Sequence, residues 1–535
     1  MTNEEISLKF YGRDFSLISK DLNETIQLTN ERILNRNEQV RLIIKFLDSI
    51  ENVESLVVNT NQRKQNSNDK NKLYSNFNGD YYWSGLVGVF QGILPVIYEN
   101  ELKDPDDIIS ENIKYENIHI KIQICSRFDV DKFDVISKPY FMSTMLLQCR
   151  STVSEHVVSS NIDDYFFDLL LIYLFKEKAN ICYEKGIYKT YHRFEKNDDK
   201  LKGNIDISRH IKMNMGMRNG KVAYSYRENT IDNSLNLLIL RAFEVLRKKY
   251  PETMLNVIGK QSNSNFKYLI NTLKSNISDT FINTKTLISK NILCISHPYY
   301  VEYEELRKIS LKILRSEGIS MFDGSYDDVN GILLYIPDLW ELYLEYLLKD
   351  SKYKVYSQGY KDSAVKIWDY NDSKTYKQKT YPDYVFSTEI QQNTTITEVP
   401  FMTLDAKFKP EWARIIEEEK SISSELSDYD KCVRDMNSLN VHACGTIFPT
   451  NIEFVSGLEN VIKHNISVFN NIDKFYTFPI TIPFISDNLS YSEWLSTFKN
   501  NYLFTFDIIK REINKEKEFT IQNYSMLENI NRLIR

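Results

Sequence analysis

The sequence predicts a multidomain α+β protein with a β-rich amino-terminal domain, a helical middle and a carboxy-terminal α/β domain. A chain of 535 residues exceeds one ordinary core, because single domains most often hold about 100–150 residues. Apolar residues alternate with polar ones near residue 120 and recur at helical spacing from about residue 161. In the final third, helix and strand patterns alternate. We therefore expect domains at 1–150, 151–325 and 326–535.

The amino-terminal domain is predicted from two strand-like segments. "YYWSGLVGVFQGILPVIY" (81–98) is rich in aromatic and β-branched residues, and "IHIKIQICSRF" (118–128) places isoleucine at every second position. At the end of the second segment we expect Phe128 to lie in the core and Arg127 to form an ion pair at an interface. The polar run 59–72 has too few apolar residues to form a core and predicts a loop or linker.

The middle of the chain has the apolar spacing of helices. Three segments, 161–186, 232–250 and 301–318, show this period and end in glycine or in basic residues. Asp232 or Asn233 is expected to cap the second helix, because a short polar side chain there can accept a hydrogen bond from the first turn.

The final third predicts a helix, several strands, a second helix and a further strand. The first helix is "IPDLWELYLEYLLKD" (336–350), and two short strand patterns follow it at 353–360 and 364–370. Two longer strands then lie within "YPDYVFSTEIQQNTTITEVPFMTLDAKFKPEW" (381–412). A charged helical stretch at 411–434 leads to the strand "VHACGTIFPT" (441–450). This order is typical of a layered α/β domain.

Composition excludes several classes of site. The formal net charge of −6 argues against a uniformly basic nucleic-acid-binding surface, so DNA contacts are expected to be local or supplied by a partner. The histidines form no metal-binding pattern, and the cysteines contain no C-x-x-C pair, which predicts reduced and mostly buried thiols. A polar, acidic amino terminus and apolar runs too short to cross a bilayer predict a cytoplasmic protein without a membrane segment.

The two long strands carry polar residues suited to catalysis. Asp383 precedes the first strand, and Asp405-Ala406-Lys407 ends the second. Similar Pro-Asp and acid-x-Lys pairs occur elsewhere, for example at 105–106 and 372–374, but they lack adjoining strand patterns. Because side chains alternate along a strand, Asp405 and Lys407 are expected on one face.

This arrangement suits the hydrolysis of phosphodiesters. Carboxylates from neighbouring strands can hold Mg²⁺, while an ammonium group orients water or stabilises the charge that develops on the phosphate. The alternative is a solvated hairpin end, where a Lys–Asp ion pair contributes less than about 1 kcal/mol.

A third acid is expected from the helix before the strands. Glu341 and Glu345 are one turn apart on one face of that helix. Glu341 also lies three residues after Asp338, the spacing of a helix-capping box. The capping role and a role at the metal do not exclude each other.

The set Glu341, Pro382-Asp383 and Asp405-x-Lys407 resembles the PD-(D/E)xK nuclease superfamily. A second resemblance lies upstream, where "LKGNIDISRHIK" (201–212) is followed by "YSYRENTIDNSLNLLILRAFEVL" (224–246). This order is similar to that in McrC subunits of modified-cytosine restriction systems. The resemblance covers roughly residues 81–448 and does not account for the first and last eighty.

The resemblance implies a restriction-endonuclease-like fold for residues 326–535 and a partner-binding role for residues 1–150. It implies that Asp383 and Asp405 bind Mg²⁺, that Lys407 is catalytic and that Glu341 is an outer acid. It further implies a DNA endonuclease subunit of a restriction or anti-phage defence complex, working with a McrB-like AAA+ GTPase or ATPase. The sequence contains no G-x-x-x-x-G-K-[ST] loop, so the motor is expected on a separate chain.

Two other functions fit the same residues. The nuclease fold could be catalytically idle and serve as an adaptor that docks on the motor or on DNA, or it could be a stand-alone structure-selective nuclease. For residues 201–212 the alternatives are a basic interdomain loop with a turn at Gly203, or a contact with DNA phosphates or between domains. In the helix that follows the catalytic strands, Lys431 fits a position where related nucleases often have Gln or Lys.

Overall fold

The structure is a computed structural model that describes most of the chain. All but the last residue of the predicted linker at 59–72, the acid-x-Lys triplet at 372–374 and most of the helical stretch before residue 426 lie outside the described residues. Residues not described are 1–5, 23–25, 30–31, 51–71, 104–113, 134–137, 149–161, 216–218, 252–253, 255–264, 279–281, 296, 317–329, 358–363, 368–375, 380–381, 393–394, 410–411, 413–425, 452–462, 466–472, 487–488 and 535.

The chain folds into two compact units. The first comprises Met1–Arg150, Val158–Phe167 and Asp327–Arg535, and the second comprises Ser151–Val157 and Asp168–Tyr326. Both contain helices and strands, which confirms the predicted α+β class. The three-part division at residues 150 and 325 remains a prediction.

The first unit contains most of the strands. Its elements before residue 150 are β1 (Ser7–Arg13), α1 (Ile18–Asp21), β2 (Ile26–Thr29), β3 (Arg32–Leu34), α2 (Arg36–Asp48), β4 (Tyr74–Phe77), β5 (Asp80–Trp83), β6 (Leu86–Tyr98), α3 (Glu99–Leu102), β7 (Lys114–Cys125) and α4 (Tyr140–Gln148). Its later elements are β11 (Asn330–Tyr335), α11 (Ile336–Leu348), β12 (Lys354–Ser357), β13 (Ala364–Ile367), β14 (Tyr376–Lys379), β15 (Tyr384–Gln392), β16 (Thr395–Ala406), α12 (Leu426–Leu439), β17 (Ala443–Thr450), β18 (Lys463–Asn465), β19 (Lys474–Thr481) and α13 (Tyr491–Ile534).

A four-stranded sheet in the order β1-β7-β6-β11 confirms the two strands predicted in the amino-terminal region. The alternating isoleucines of β7 are buried, since one face of the strand covers a core. β11 comes from much later in the sequence, pairs with β6 and leads directly into α11. This sheet therefore fixes where α11 begins.

The predicted capping box at Asp338 and Glu341 is wrong. α11 begins at Ile336, its N-cap residue is Tyr335, and no side chain makes a cap hydrogen bond. Asp338 consequently lies inside the first turn. The reason is that Ile336 donates its backbone N–H to the Gly85 carbonyl, so strand pairing sets the start of the helix.

A six-stranded sheet in the order β12-β15-β16-β17-β19-β18 forms the other half of the first unit. β12, β15 and β16 are antiparallel neighbours, whereas β16, β17 and β19 run parallel. α12 packs on this sheet through a cluster of seven buried side chains, Trp412, Cys432, Met436, Val441, Cys444, Phe448 and Phe475. This packing fixes which face of α12 lies against the sheet.

The second unit combines helices with a small sheet that the sequence analysis did not predict. β8, β10 and β9 form an antiparallel three-stranded sheet. Its elements are α5 (Ile162–Glu184, from residue 168 on), β8 (Thr190–Asp198), β9 (Asn204–Ile205), α6 (Ile207–Asn214), β10 (Val222–Thr230), α7 (Ser234–Lys249), α8 (Asn265–Asn276), α9 (Thr284–Lys290) and α10 (Glu302–Ser316).

Residues 201–212 form structure within this unit, so the interpretation as a plain loop is wrong. Gly203 adopts φ +81°, and a Cβ there would lie 2.6 Å from the Ser225 carbonyl oxygen. Asp206 caps α6 by accepting from the Arg209 N–H at 3.0 Å. Asn233, rather than Asp232, caps α7.

Among the described residues, no helix combines the length and the apolar character that a membrane span needs.

Candidate active site

Asp383 and Asp405 meet at one edge of the six-stranded sheet. Tyr384 pairs with Leu404 at the start of β15, and continuing the register by one residue places Asp383 opposite Asp405. Both side chains are buried, with 7% and 2% of their surface exposed. Oδ2 of Asp383 accepts a hydrogen bond of 2.8 Å from the Ala406 backbone N–H. The hairpin therefore orients the first carboxyl group toward the end of the second strand.

The two carboxyl groups lie side by side, and their surroundings shift their pKa values in opposite directions. Burial raises the pKa of Asp383, and the negative charges of Asp405 and Glu341 raise it further. Burial also acts to raise the pKa of Asp405, but the ammonium groups of Lys431 and Lys407 outweigh it and hold that pKa below its ordinary value. Of the two carboxyl groups, Asp383 is therefore the one that binds a proton more readily and Asp405 the one that ionises first.

Lys407 lies on the same face as Asp405, as the strand alternation predicts. Its Nζ is 2.6 Å from Oδ2 of Asp405 and 3.1 Å from Oδ1 of Asp428. Burial acts to lower the pKa of Lys407, yet these carboxylates raise it above the ordinary value. Because Lys407 remains an ammonium group, it can act through its charge and its N–H donors but cannot accept a proton.

Helix α12 adds three charged residues to the site. Asp428, Lys431 and Asp435 are three and four residues apart, which places them on one side of the helix. Nζ of Lys431 contacts Oδ1 of Asp405 and lies 3.7 Å from Oδ1 of Asp383. Burial raises the pKa of Asp435 to about 6, with Lys431 acting in the opposite direction.

No role for Asp428 or Asp435 was predicted from the sequence, and Lys431 was identified only through the family resemblance. Their helical spacing could have revealed them, because it places them on a different side of the helix from the buried Cys432 and Met436. Asp428 also forms an ion pair with Lys409, with 2.8 Å between Nζ and Oδ2. It therefore links Lys407 and Lys409, the two lysines that follow β16.

Of the two candidate outer acids, the structure brings Glu341 to the site. Its side chain is 9% exposed, and its negative charge contributes to the raised pKa of Asp383. The Tyr384 hydroxyl donates to the Glu341 backbone carbonyl, which joins α11 to the start of β15. Glu345 instead pairs with Lys349, with 3.2 Å between their charged atoms.

The donor set suits a metal bound mainly by water and substrate. Among the described residues, no group of three or more His, Cys, Asp or Glu side chains is arranged to hold a metal ion. Mg²⁺, however, commonly takes one or two protein carboxylates together with waters and phosphate oxygens. The adjacent carboxyl groups of Asp383 and Asp405 fit that pattern.

The chain matches one family model and several solved structures. The model of the McrBC 5-methylcytosine restriction system component matches residues 112–429, a span that contains Glu341, Asp383, Asp405 and Lys407. No curated protein matches the chain.

Two similar structures come from Thermococcus gammatolerans. One is a refined half-complex from a tetradecameric assembly of McrB AAA+ hexamers with bound McrC. Its sequence identity is 13% and its TM-score is 0.34, and the match covers 93% of this chain and 100% of that chain. The other is the cryo-EM structure of the McrBC complex, with 12% identity, a TM-score of 0.25 and coverage of 64% of this chain and 87% of that chain.

Proposed function

Because this chain belongs to the family of McrBC 5-methylcytosine restriction system components, we propose that it is the Mg²⁺-dependent DNA endonuclease subunit of a restriction or anti-phage defence complex. The observation that carries the proposal is the placement of Asp383 opposite Asp405, with Lys407 Nζ 2.6 Å from Asp405 Oδ2, at one edge of the six-stranded sheet. We assign this sheet and its helices, within residues 326–535, to the PD-(D/E)xK nuclease fold.

In this proposal Asp383 and Asp405 would hold the metal. Bound Mg²⁺ would supply Lewis-acid stabilisation of the scissile phosphate and lower the pKa of the attacking water. The raised pKa of Asp383 would oppose its role as a ligand, since protonated carboxyl groups bind metal poorly. Lys431 contacts the Asp405 oxygen Oδ1, so its ammonium group would compete with a cation for this carboxylate.

Lys407 then acts as a fixed positive charge. Asp405 and Asp428 hold its ammonium group from two sides. A preorganised N–H donor of this kind stabilises the charge that develops on a phosphate oxygen and can orient water. Glu341 completes the site as an outer acid that acts on Asp383 through its charge.

The proposal includes a separate AAA+ NTPase partner of the McrB type, hydrolysing GTP or ATP. The sequence has no phosphate-binding G-x-x-x-x-G-K-[ST] loop, and its net charge of −6 favours a division of labour in which the partner moves DNA. Residues 1–150 are assigned to partner binding.

One observation favours an inactive adaptor. Both carboxylate oxygens of Asp405 already contact lysine ammonium groups, Lys431 at Oδ1 and Lys407 at Oδ2. Such a site is electrostatically balanced without a metal. Under this alternative the fold serves to dock on the motor or on DNA.

Substituting Asp405 by Ala separates the two functions. The purified chain and its NTPase partner are incubated with methylated or unmethylated DNA and Mg²⁺, and the matched control is D507A, which removes an exposed aspartate of α13. The endonuclease proposal predicts that D405A loses cleavage by at least about 100-fold, since even outer-shell changes at metal sites cost 10–100-fold. Complex formation should be retained. Equal activity of D405A and D507A would support the adaptor.

A further inference from the structure

The loop that follows β7 runs along the carboxyl ends of three parallel strands. We call residues 126–130 the edge loop. The Arg127 guanidinium donates from NH2 to the Phe408 carbonyl, just after β16, at 3.1 Å. The Phe128 carbonyl accepts from Nδ2 of Asn451, just after β17, at 3.2 Å. The same loop therefore reaches the segment that carries Lys407.

A third bond extends the contact to β19. The Val130 carbonyl accepts from the Ile485 N–H at 3.0 Å. The loop is also anchored on its other side, because Asp129 accepts from the Phe141 and Met142 N–H groups at the start of α4, at 2.7 and 3.3 Å. The edge loop is thus a fixed brace along this edge of the sheet.

Arg127 is held by a buried carboxylate. Its Nε lies 3.0 Å from Oδ2 of Asp14, and its backbone N–H donates to Oδ1 of Asp14 at 2.6 Å. Its guanidinium carbon also lies 4.7 Å from the centre of the Phe15 ring. Asp14 is fully buried, so it fixes the orientation of the guanidinium group that donates to the Phe408 carbonyl. Arg127 thus forms an ion pair as expected, but its partner belongs to the same unit, and a role at an interface remains a prediction.

Phe408 is confined on both its carbonyl and its ring. The ring packs edge-on against Phe128 at 5.0 Å and near Trp340 at 6.1 Å between centroids. On the other side of the peptide, the Lys407 N–H donates to the Ile447 carbonyl at 2.9 Å. Lys407 is therefore held by strand pairing on one side and, through Phe408, by Arg127 on the other.

We infer that Arg127 is a positioning residue for Lys407. Arg127 does not contact the carboxylates of Asp383 and Asp405. It fixes the backbone from which the Lys407 ammonium group reaches Asp405. This inference rests on the proposed function for its effect on catalysis, whereas the geometric claim concerns the segment 407–409 alone.

Lysine cannot replace arginine in this role. The planar guanidinium presents donors in several directions at once, so it serves Asp14 and the Phe408 carbonyl together. A lysine keeps a positive charge beside Asp14 but lacks the rigid fork that also reaches Phe408. Displacement of a catalytic group by about 1 Å can reduce the rate roughly 100-fold.

The test compares R127K and R127A with R307K in the full-length chain assayed with its NTPase partner. Arg307 is a suitable control because it also joins a carboxylate to a backbone carbonyl: its Nε lies 2.9 Å from Glu304 Oε2, and its NH1 donates to the Ile292 carbonyl at 3.2 Å. It lies on α10 in the second unit. The readouts are kcat and KM for DNA cleavage, the Mg²⁺ dissociation constant, the melting temperature and hydrogen exchange of residues 406–409.

We expect R127K to lower kcat by about 10- to 100-fold with KM and the Mg²⁺ dissociation constant within about twofold of the parent. Exchange at residues 406–409 should become faster in R127K and stay unchanged in R307K. If R127A does not fold, R127K still decides the question. A lowered melting temperature with unchanged kcat and unchanged local exchange would show a purely structural role and overturn the inference.

Failure of the proposed function gives a different pattern. If the parent chain, its partner and Mg²⁺ do not cut DNA, the endonuclease proposal fails. The exchange measurement then still decides whether Arg127 positions the segment 407–409.

Discussion

Asp383 and Asp405 lie opposite each other on two paired strands, both buried, and their surroundings raise the pKa of Asp383 and hold that of Asp405 below its ordinary value. The difference arises because Lys407 and Lys431 both contact Asp405, whereas Asp383 has Asp405 and Glu341 as negatively charged neighbours. Asp383 therefore binds a proton more readily than Asp405 does. The first predictions follow from this imbalance.

The metal-free chain should lose stability as pH rises through the raised pKa of Asp383. The folded state binds a proton that the unfolded state releases near the ordinary value of 3.8, so the unfolding free energy falls with pH across that window. D383N mimics the protonated carboxyl group and should abolish this part of the pH dependence. Urea unfolding at several pH values, with D507N as control, measures it; parallel profiles of D383N and the parent would contradict the assignment.

Binding of Mg²⁺ should release protons at pH values below the raised pKa of Asp383. The carboxyl group must ionise to become a ligand, so affinity should rise with pH until Asp383 is ionised in the free chain. Calorimetric titration in buffers of different ionisation enthalpy counts the protons. D383N should release fewer protons than the parent, and an equal release would point to another group.

Removal of Lys431 should tighten metal binding. K431A takes away the ammonium group that contacts Oδ1 of Asp405, and we expect the Mg²⁺ dissociation constant to fall roughly tenfold, equivalent to about 1.4 kcal/mol. The metal-free chain should melt at a lower temperature, since negative charge is left unbalanced. R434A changes an exposed residue of the same helix and should alter neither quantity. Weaker metal binding in K431A would refute the claim that Lys431 competes with Mg²⁺ for the Asp405 carboxylate.

Substitution of Gly445 by Ala should destabilise the six-stranded sheet. A Cβ at this position would lie 2.4 Å from the Tyr476 carbonyl oxygen, and backbone cannot move aside as a flexible side chain can. We expect a loss of about 1–3 kcal/mol in the free energy of unfolding, measured by urea titration. The control is A443G, which changes the same strand without adding an atom. G79A is less suitable because Gly79 has a φ of +91°.

Local patterns predict what lies on consecutive strands. Asp383 and Asp405-x-Lys407 were recognisable because a hairpin brings neighbouring segments together, and alternation fixes which side chains share a face. The strand β8 was missed because its sequence "TYHRFEKND" has no regular apolar alternation and most of its residues are exposed. Such a strand is stabilised by pairing with β10 rather than by burial of one face.

Contacts across long sequence separations were not predictable. Arg127 and Phe408 are 281 positions apart, and no local rule pairs them. The third acid was ambiguous for a related reason: Glu341 and Glu345 lie on one helical face, and only the packing of Tyr384 against α11 selects the first. The start of α11 depended on β11 joining a distant sheet.

The most direct test of the account is calorimetric binding of Mg²⁺, and of Mn²⁺, to the parent chain and to D383N, D405A and D507A. We predict binding by the parent and by D507A, a marked weakening in D383N and loss of binding in D405A, with all four chains folded by circular dichroism. Equal binding by D405A and the parent, or no binding by the folded parent, would contradict the claim that these two carboxylates hold a divalent cation.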